Sequence, residues 1–399
     1  MNPIITSILD SDTYKFSMQN TVLELYPDVR VSYKFKNRGS HRFNQEFLDE
    51  LRRQIYYMDD VHLTNDEYIW LKENIPYLKR GYLAYLKNYK FDPNCVTISL
   101  DAENNLQLDV QGLWRNTILF EVPLMAIISE IYFKLIDTDW NMDGQEEKAY
   151  NKIIKLSSEE CDFADFGSRR RRNFKTQNLV LKTFKNIDSV YFKGTSNLYF
   201  AKKYGIKAIG TVSHEFIMAI SVLESLRHAN YYALKKWEEV YQGNLGIALT
   251  DTFGTNSFLN DFNLELSKLY SGTRQDSGNP FIFTDKIVAH YKKFNINPMS
   301  KFIIFSDGLD VEKAIKIKKY CENKIQCSFG IGTHFSGDFG EQSPPLNMVI
   351  KLSSVEQNGV YIPVVKLSDS PTKNMGDKDA LRVAHWVFNN EPLDNLENC

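Results

Sequence analysis

The 399-residue sequence predicts an α/β protein whose larger part is an irregular, incomplete parallel α/β barrel. One observation is the glycine distribution: 14 of the 20 glycines lie from Gly167 to Gly340, and all five Gly-Thr dipeptides lie in that stretch. The other is that short apolar runs in this region end in small polar residues and precede helical patterns, which is typical of parallel βα units. Because these units are unevenly spaced, we expect an irregular barrel rather than a regular one.

The predicted strands place polar residues where a barrel builds its active site. Predicted strands lie at residues 190–194, 208–210, 247–249 and 302–305, and helices are predicted at 198–204, from about 215 onward, and at 311–321. The carboxyl ends of parallel strands gather at one face of a barrel. The residues that follow these runs are therefore the candidates for chemistry.

The two ends of the chain predict a mixed α/β domain. Helices are expected at 12–25, 43–59 and 65–86, and strands at 29–35, 96–100, 106–110, 348–352 and 361–367. Asp12 is the expected N-cap of the first helix, and Asn358-Gly359 lies between the last two strands. We expect the C-terminal strands to complete the N-terminal domain. The predicted domains are residues 1–115, a catalytic barrel over 116–340, and a C-terminal segment over 341–399.

Composition excludes several classes of protein. Hydrophobic residues make up 43% of the chain and charged residues 25%, which is an ordinary globular balance. The net charge of −2 gives no overall attraction to nucleic acid or to an anionic membrane. The most apolar stretch, residues 119–133, is interrupted by Glu121 and Glu130. The five cysteines contain no Cys-x-x-Cys pair, and the N-terminus lacks a signal-peptide pattern, so we expect a cytoplasmic protein.

Four consecutive arginines, Arg169 to Arg172, follow Asp165-Phe166-Gly167-Ser168. One interpretation is a solvated basic turn. The other is a clamp for an oxyanion, because guanidinium groups pair with phosphate oxygens in a planar, bidentate manner. A nucleic-acid patch usually includes stacking aromatic residues, and only Phe174 stands close behind the arginines.

His214 follows a short apolar run and small polar residues. A lone histidine is most often structural, but this one stands at a predicted strand end. Histidine can accept a phosphoryl group when a carboxylate holds the required ring tautomer. Asp251, at another predicted strand end, is the sequence-based candidate for that carboxylate.

Three glycine-bounded segments are candidate anion sites. The segment 272–278 holds Arg274 and Asp276, which suit an anionic ligand beside a developing cation, although it could be only a polar loop. Segments 306–308 and 330–333 offer backbone N–H groups at predicted strand–helix junctions, a favourable environment for phosphate. Each segment alone is weak evidence for an anion site, and the recurrence of such segments at successive predicted strand ends strengthens that evidence.

Taken together, these segments resemble the nicotinate phosphoribosyltransferase family of the bacterial and fungal type along nearly the whole chain. The matching segments are Asp10-Ser11-Asp12-Thr13-Tyr14-Lys15-Phe16-Ser17-Met18, Tyr33-Lys34-Phe35, Glu121-Val122-Pro123-Leu124, Asp165-Phe166-Gly167-Ser168-Arg169-Arg170, Gly194-Thr195-Ser196-Asn197, Gly210-Thr211-Val212-Ser213-His214-Glu215, Leu249-Thr250-Asp251-Thr252-Phe253-Gly254-Thr255, Arg274-Gln275-Asp276-Ser277-Gly278, Ser306-Asp307-Gly308-Leu309-Asp310 and Phe329-Gly330-Ile331-Gly332-Thr333. Ten segments in the same order make the resemblance specific.

The resemblance implies the type II phosphoribosyltransferase fold and an ATP-dependent enzyme of the ligase class. The implied reaction joins nicotinate to 5-phosphoribosyl 1-diphosphate, giving nicotinate mononucleotide and diphosphate in NAD salvage. It further implies transient phosphorylation of His214 by ATP, a requirement for Mg²⁺, and a homodimer in which Tyr14 completes the neighbouring subunit's site. A monomer that uses its own Tyr14 is the alternative.

The resemblance also implies a role for each matching residue. Tyr14 and Phe166 would stack on the pyridine ring, with Thr211 against the base and Arg274 on its carboxylate. Arg169 would bind diphosphate. Residues Ser306, Asp307, Gly308, Gly332 and Thr333 would bind the rest of the phosphoribosyl donor. Asp276 would offset positive charge on the ribosyl carbon, as carboxylates do in glycosidases. The magnesium ligands are not implied.

Three alternatives compete with this interpretation. The nicotinamide-using relative has an aspartate where this chain has Ser196, and an aspartate would repel a carboxylate substrate. A nucleic-acid-binding protein using residues 169–172 conflicts with the net charge. The other phosphoribosyltransferase fold would require paired acidic residues in 247–255, which holds only Asp251.

Overall fold

The computed structural model describes residues 1–389. The helices are α1 (Thr13–Leu25), α2 (Gln45–Tyr57), α3 (Asn65–Asn74), α4 (Arg80–Lys87), α5 (Trp114–Thr117), α6 (Glu121–Leu135), α7 (Gln145–Ser158), α8 (Phe174–Ile187), α9 (Leu198–Tyr204), α10 (His214–Leu223), α11 (Ala229–Tyr241), α12 (Thr255–Asp261), α13 (Leu264–Leu269), α14 (Pro280–Lys293), α15 (Val311–Cys321), α16 (Thr333–Ser336) and α17 (Lys378–Asn389). The strands are β1 (Arg30–Asn37), β2 (Val96–Leu100), β3 (Leu106–Leu113), β4 (Phe163–Asp165), β5 (Phe192–Thr195), β6 (Ile247–Leu249), β7 (Gly272–Gln275), β8 (Phe302–Phe305), β9 (Gln326–Ile331), β10 (Met348–Gln357) and β11 (Val360–Pro363).

The chain divides into two compact units. The first joins residues 1–210 to 330–351, and the second joins 211–329 to the described residues from 352 onward. None of the helices within residues 1–389 has the length and hydropathy needed to cross a membrane. The domain boundaries expected after residues 115 and 340 remain a prediction.

The first unit contains an antiparallel sheet in the order β1-β3-β2. In β3, alternate residues Leu106, Leu108 and Val110 are buried, which is the period of a strand with one face on the core. Helix α6 is buried along most of its length. The most apolar stretch of the sequence is therefore a core helix of this unit.

Both units contain open parallel sheets. In the second unit the order is β9-β8-β7-β6, and in the first β4 pairs with β5 in parallel. The last residues of β9 belong to the first unit, where Phe166 N donates to the Ile331 carbonyl at 2.9 Å. Within the described residues the parallel strands do not close, as expected for an incomplete barrel. The predicted α/β class is confirmed.

Most local predictions are confirmed, and four need correction. The helical pattern over 65–86 forms two helices, α3 and α4, with Pro76 between them. Residues 208–210 form only one bridge, between Ala208 and Thr195, instead of a strand. The segment 272–278 is not only a loop, because β7 occupies its first half. Asp12 precedes α1 as expected but makes no side-chain cap, since its carboxylate accepts a hydrogen bond from Ser196.

Candidate active site

The second unit gathers the predicted polar residues at the carboxyl edge of its sheet. Leu249 of β6 pairs with Arg274 of β7, and Gln275 of β7 pairs with Phe305 of β8. Because the strands are parallel, this register brings the residues that come after them, Asp251, Asp276 and Ser306, to one edge of the sheet. The sequence prediction that these strand ends lie together is confirmed for this unit.

His214, the first residue of α10, is buried among these strand ends. Its Nε2 atom is 3.0 Å from Asp276 Oδ2 and 3.7 Å from Asp251 Oδ1. Its Nδ1 atom is 2.9 Å from Thr252 Oγ1. We call His214, Asp251, Thr252, Asp276 and Lys366 the histidine cluster. The carboxylate at hydrogen-bonding distance is thus Asp276, and not Asp251 as the sequence analysis expected.

The ring tautomer of His214 follows from these contacts. The hydrogen bond with His214 and the charges of Arg274 and Lys366 outweigh burial and hold the pKa of Asp276 well below its ordinary value. An ionised carboxylate only accepts hydrogen bonds, so His214 Nε2 carries the proton and donates it. Nδ1 therefore holds the lone pair and accepts from the Thr252 hydroxyl.

Asp251 is the fully buried carboxylate of the histidine cluster. Its Oδ2 atom accepts from Ser277 Oγ at 2.5 Å and from Lys366 Nζ at 3.1 Å. Although burial acts to raise the pKa of Asp251, the charges of His214 and Lys366 outweigh it and lower the pKa. Asp251 is consequently ionised and paired with a buried ammonium.

The His214 imidazole is neutral over a wide pH range. Burial and the charge of Lys366 lower its pKa to about 4, against the opposing effect of Asp251 and Asp276. A neutral imidazole with an available lone pair is the form that acts as a nucleophile. The histidine cluster thus has the protonation state that phosphoryl transfer to histidine requires.

Arg274 lies on β7 beside this cluster, and its charge acts on Asp276. Its carbonyl accepts from Thr250 Oγ1 at 3.0 Å, which fixes the backbone at this strand end. The buried Arg274 Nε atom has no hydrogen-bond partner within residues 1–389. A buried donor left without a partner is costly, so Arg274 Nε fits an anionic ligand that would supply the missing acceptor.

The segment after β8 is held by hydrogen bonds to its neighbours. Ser306 Oγ donates to Asp276 Oδ1 at 2.8 Å, and Asp307 forms an ion pair with Lys373. Lys373 also donates to the Asp276 carbonyl at 3.0 Å. Gly308 has a positive φ of 52° with open space around it, so its backbone is accessible. Thr211 lies at the start of the second unit, on the segment that leads into His214.

The first unit holds the remaining predicted residues. Phe166 follows β4, and a Cβ atom at Gly330 would lie 2.3 Å from its ring. A Cβ atom at Gly332 would lie 2.8 Å from the Phe166 carbonyl oxygen. Both glycines thus make room for Phe166, and the phosphate contact expected for Gly332 stays a prediction. Thr333 begins the four-residue helix α16.

Tyr14 lies beside the segment that carries Ser196. Its neighbour Thr13 donates from N and from Oγ1 to the Ser196 carbonyl, at 2.7 and 2.8 Å. Ser196 Oγ in turn donates to Asp12 Oδ1 at 2.7 Å. Gly210 packs closely here, since a Cβ atom on it would lie 2.9 Å from Tyr14 N. The first unit therefore brings Tyr14 and Ser196 together.

Arg169 belongs to a second charged group, which we call the glutamate cluster: Glu121, Lys15, Arg169 and Lys351. Glu121 is buried and contacts Lys15 Nζ at 2.6 Å, Arg169 Nη1 at 3.2 Å and Lys351 Nζ at 4.0 Å. Burial acts to raise the pKa of Glu121, but the three cations lower it to about 2. The three cations keep this buried carboxylate ionised, and the charge of Arg169 also acts on the carboxylate of Asp12.

The other arginines of the tetrad do not all form an oxyanion clamp. Arg171 is buried and pairs with both Asp10 oxygens at 2.7 Å. Arg172 donates to Ser343 Oγ and O at 2.7 and 2.6 Å, and its guanidinium lies 3.4 Å from the Phe133 ring centroid. Both therefore hold the first unit together. Of the tetrad, Arg169 is the member that belongs to the cation-rich cluster.

Sequence reasoning missed Thr252, Lys366, Lys373, Lys15 and Lys351. Lys366 had a usable signal, because it follows the apolar run Val364-Val365 and precedes Ser368-Asp369-Ser370, the same pattern as at the other strand ends. Lys15 and Lys351 have aromatic or aliphatic neighbours in the sequence, and no local pattern identifies the partner of such a lysine.

Comparisons with known proteins show the family to which this chain is similar. Residues 9–129 match the N-terminal domain of the nicotinate phosphoribosyltransferase (NAPRTase) family, and residues 161–392 match the family itself. The nicotinate phosphoribosyltransferase of Methanosarcina acetivorans is 51% identical, over 98% of this chain and 100% of the relative. That of Saccharomyces cerevisiae is 41% identical, over 94% of this chain and 93% of the relative.

Solved structures show the same fold. The crystal structure of nicotinate phosphoribosyltransferase from Porphyromonas gingivalis has a TM-score of 0.94 and 36% identity, over 97% of this chain and 100% of that chain. The crystal structure of a putative nicotinate phosphoribosyltransferase from Saccharomyces cerevisiae has a TM-score of 0.92 and 40% identity, over 98% of this chain and 100% of that chain. The chain belongs to the nicotinate phosphoribosyltransferase family.

Proposed function

We propose that this protein transfers the 5-phosphoribosyl group of 5-phosphoribosyl 1-diphosphate to nicotinate, with ATP phosphorylating His214 during the cycle. The products are nicotinate mononucleotide and diphosphate, and we place this step of NAD synthesis in the cytoplasm. Family membership supports the transfer reaction. The observation that carries the coupling proposal is the neutral His214 ring with its lone pair on Nδ1.

The nicotinate carboxylate is the proposed partner of Arg274. The buried Nε donor of Arg274 would gain the acceptor that the described residues do not supply. Phe166 and Tyr14 would stack on the pyridine ring, and Thr211 would lie against it. Ser196 supports the acid over the amide as substrate, since its hydroxyl carries no charge.

The phosphoryl acceptor is the Nδ1 atom of His214. Its lone pair attacks the γ-phosphorus of ATP, an N–P bond forms, the bond to the β–γ bridging oxygen breaks, and ADP leaves. The proton stays on Nε2 and is donated to Asp276, whose negative charge offsets the positive charge that develops on the ring. The Thr252 hydroxyl must turn away from Nδ1 for the attack to occur.

Diphosphate departure needs positive charge at the leaving group and negative charge at the ribosyl carbon. Arg169, whose side chain is 35% exposed, is the proposed source of the first, as the resemblance implies. Asp276, 30% exposed, supplies the second. Among residues 1–389 no group of three or more His, Cys, Asp or Glu side chains has the arrangement of a metal site. We propose that Mg²⁺ would neutralise part of the charge of the departing diphosphate.

The test of the transfer reaction is product analysis with nicotinate and nicotinamide in parallel, each with and without ATP. We expect nicotinate mononucleotide as the main product and stimulation by ATP. Equal turnover of the two bases would contradict the assignment of Arg274 and Ser196.

The test of the phosphoenzyme is incubation with γ-labelled ATP, followed by mapping of the label. We expect an acid-labile, base-stable label on His214 that is absent in His214→Asn, with weak uncoupled transfer remaining in that variant. Antibodies that distinguish the two phosphohistidine isomers should detect the Nδ1 isomer. A label on another residue, or full ATP stimulation in His214→Asn, would reject the mechanism.

We also propose a homodimer in which Tyr14 completes the site of the partner subunit, a proposal that rests on the resemblance. Mixing inactive Tyr14→Ala and His214→Ala chains under subunit exchange should restore part of the activity. If exchange occurs and no activity returns, each chain uses its own Tyr14.

A further inference from the structure

Lys366 is a buried cation that none of the roles above uses. Its side chain follows β11, is 6% exposed, and stands among the buried residues Val364, Val365 and Leu367. Its Nζ atom is 3.1 Å from Asp251 Oδ2. A buried ammonium needs a partner, and a fully buried carboxylate needs one equally. The pair is therefore a fixed part of the histidine cluster.

His214 faces two carboxylates, which by themselves would give it a proton. An imidazole between Asp276 at 3.0 Å and Asp251 at 3.7 Å is expected to become charged when neither carboxylate has another cation. Here each carboxylate has one: Lys366 bonds Asp251, and the charge of Arg274 acts on Asp276. On α10 itself the neighbouring acid is Glu215, which is buried.

We propose that Lys366 is a positioning residue that keeps the His214 ring neutral by neutralising Asp251. Asp251 then keeps its place beside the ring without favouring protonation of His214, and the Nδ1 lone pair stays available. The consequence for phosphoryl transfer rests on the proposed function of His214. The consequence for ring ionisation does not.

Replacing Lys366 with methionine leaves Asp251 as an unpaired anion beside the ring. The ammonium of Lys366, which disfavours a protonated ring, is gone. The carboxylate of Asp251, which favours a protonated ring, is no longer neutralised. The pKa of His214 therefore rises. We expect the acid limb of the phosphorylation rate to move upward by at least about one pH unit. At a pH inside the shifted limb, the rate falls about tenfold for each unit of the shift.

The decisive measurement is the ionisation of His214 in the resting full-length enzyme by ¹⁵N NMR of labelled histidines. The chain has 7 histidines, and His214→Asn assigns the signal. At pH 5 we expect a largely neutral ring in the wild type, whose His214 pKa is about 4, and a ring that is about half or more protonated in Lys366→Met. Lys366→Arg, which keeps the charge, should stay neutral, and so should Lys235→Met, which removes an exposed lysine paired with Glu265.

A double variant separates charge from packing. In Asp251→Asn/Lys366→Met both members of the pair are neutral. The His214 ring should therefore be neutral again, as in the wild type. This variant remains informative if Lys366→Met does not fold. An unchanged ring in Lys366→Met, or a protonated ring in the double variant, overturns the proposal. Failure of the wild type to take label from ATP would instead reject the proposed phosphorylation and leave the ring measurement to judge Lys366.

Discussion

The histidine cluster of the second unit and the glutamate cluster of the first combine charges in opposite proportions. In the histidine cluster two carboxylates lie around one imidazole and one ammonium. In the glutamate cluster one carboxylate lies among three cations. The first arrangement surrounds a neutral imidazole, and the second keeps a buried carboxylate ionised.

The pKa values of the central residues show which effect dominates in each cluster. Burial and Lys366 lower the pKa of His214 to about 4, although both carboxylates act to raise it. Burial acts to raise the pKa of Glu121, but its three cations bring it to about 2. Burial therefore decides at the histidine, and neighbouring charge decides at the glutamate.

Glu121→Gln should have the largest effect, and the effect is on stability. Removing this carboxylate breaks the 2.6 Å ion pair with Lys15, whose side chain is fully buried. Breaking a buried ion pair in this way costs about 3–5 kcal/mol. Urea unfolding at pH 7 should show this loss, while Glu239→Gln, which breaks an exposed pair with Lys236, should cost under about 0.5 kcal/mol.

The same variant has a defined pH dependence. Because the folded pKa of Glu121 lies below its ordinary value of 4.5, its contribution to stability is complete above pH 4.5 and is lost as pH falls toward 2. The difference in unfolding free energy between wild type and Glu121→Gln should shrink over that window. A difference that stays constant from pH 7 to pH 3 would contradict the ion-pair account.

Asp276→Asn should have the next largest effect, and it is measured on catalysis. The amide keeps the shape of the side chain but removes the charge that, in the proposed mechanism, offsets the ribosyl cation and the positive charge on the imidazole. Loss of such an electrostatic group lowers kcat by about 10²–10³-fold. Steady-state kinetics at a temperature at which both enzymes are folded should show this, and Asp285→Asn, at an exposed carboxylate bonded to Tyr320, should behave as wild type.

The two clusters also differ in how far sequence predicted them. His214, Asp251 and Asp276 follow short apolar strands in a repeated pattern, so their meeting at one sheet edge could be predicted. The resemblance supplied Arg169, but the pairing of Glu121 with Lys15 and Lys351 joins positions far apart in the chain. No local periodicity encodes such pairing.

Local pattern failed in two further ways. It could not separate Arg169 from Arg171 and Arg172, because burial by partners such as Asp10 and Ser343 is a tertiary property. It also assigned the hydrogen bond of the ring to Asp251. Which carboxylate bonds the ring depends on side-chain distances at the sheet edge, and the predicted strands alone do not determine those distances.

Arg274→Lys should have a smaller effect that is confined to one substrate. Lysine keeps the charge but lacks the planar, bidentate geometry and the Nε donor that is unpaired within residues 1–389. We expect the KM for nicotinate to rise about 10–100-fold, with the KM for the phosphoribosyl donor nearly unchanged. Arg382→Lys, at an exposed arginine paired with Asp379, is the matched control. An equal rise in both KM values would place Arg274 elsewhere in the site.

Gly330→Ala should have the smallest effect, and it tests how the first unit positions an aromatic ring without charge. The new methyl group would lie 2.3 Å from the Phe166 ring, which must move. Overpacking of this kind costs about 1–3 kcal/mol, and we expect a several-fold higher KM for nicotinate.

Gly81→Ala is the control for that variant, because Gly81 lies in α4 with open space around it and an ordinary backbone. Alanine in a helix is more favourable than glycine by about 0.5–1 kcal/mol, so this variant should be slightly more stable, with unchanged kinetics. The pair distinguishes a steric effect on Phe166 from a general effect of replacing glycine. If Gly330→Ala loses stability but keeps the wild-type KM for nicotinate, Phe166 supports the fold and does not touch the base.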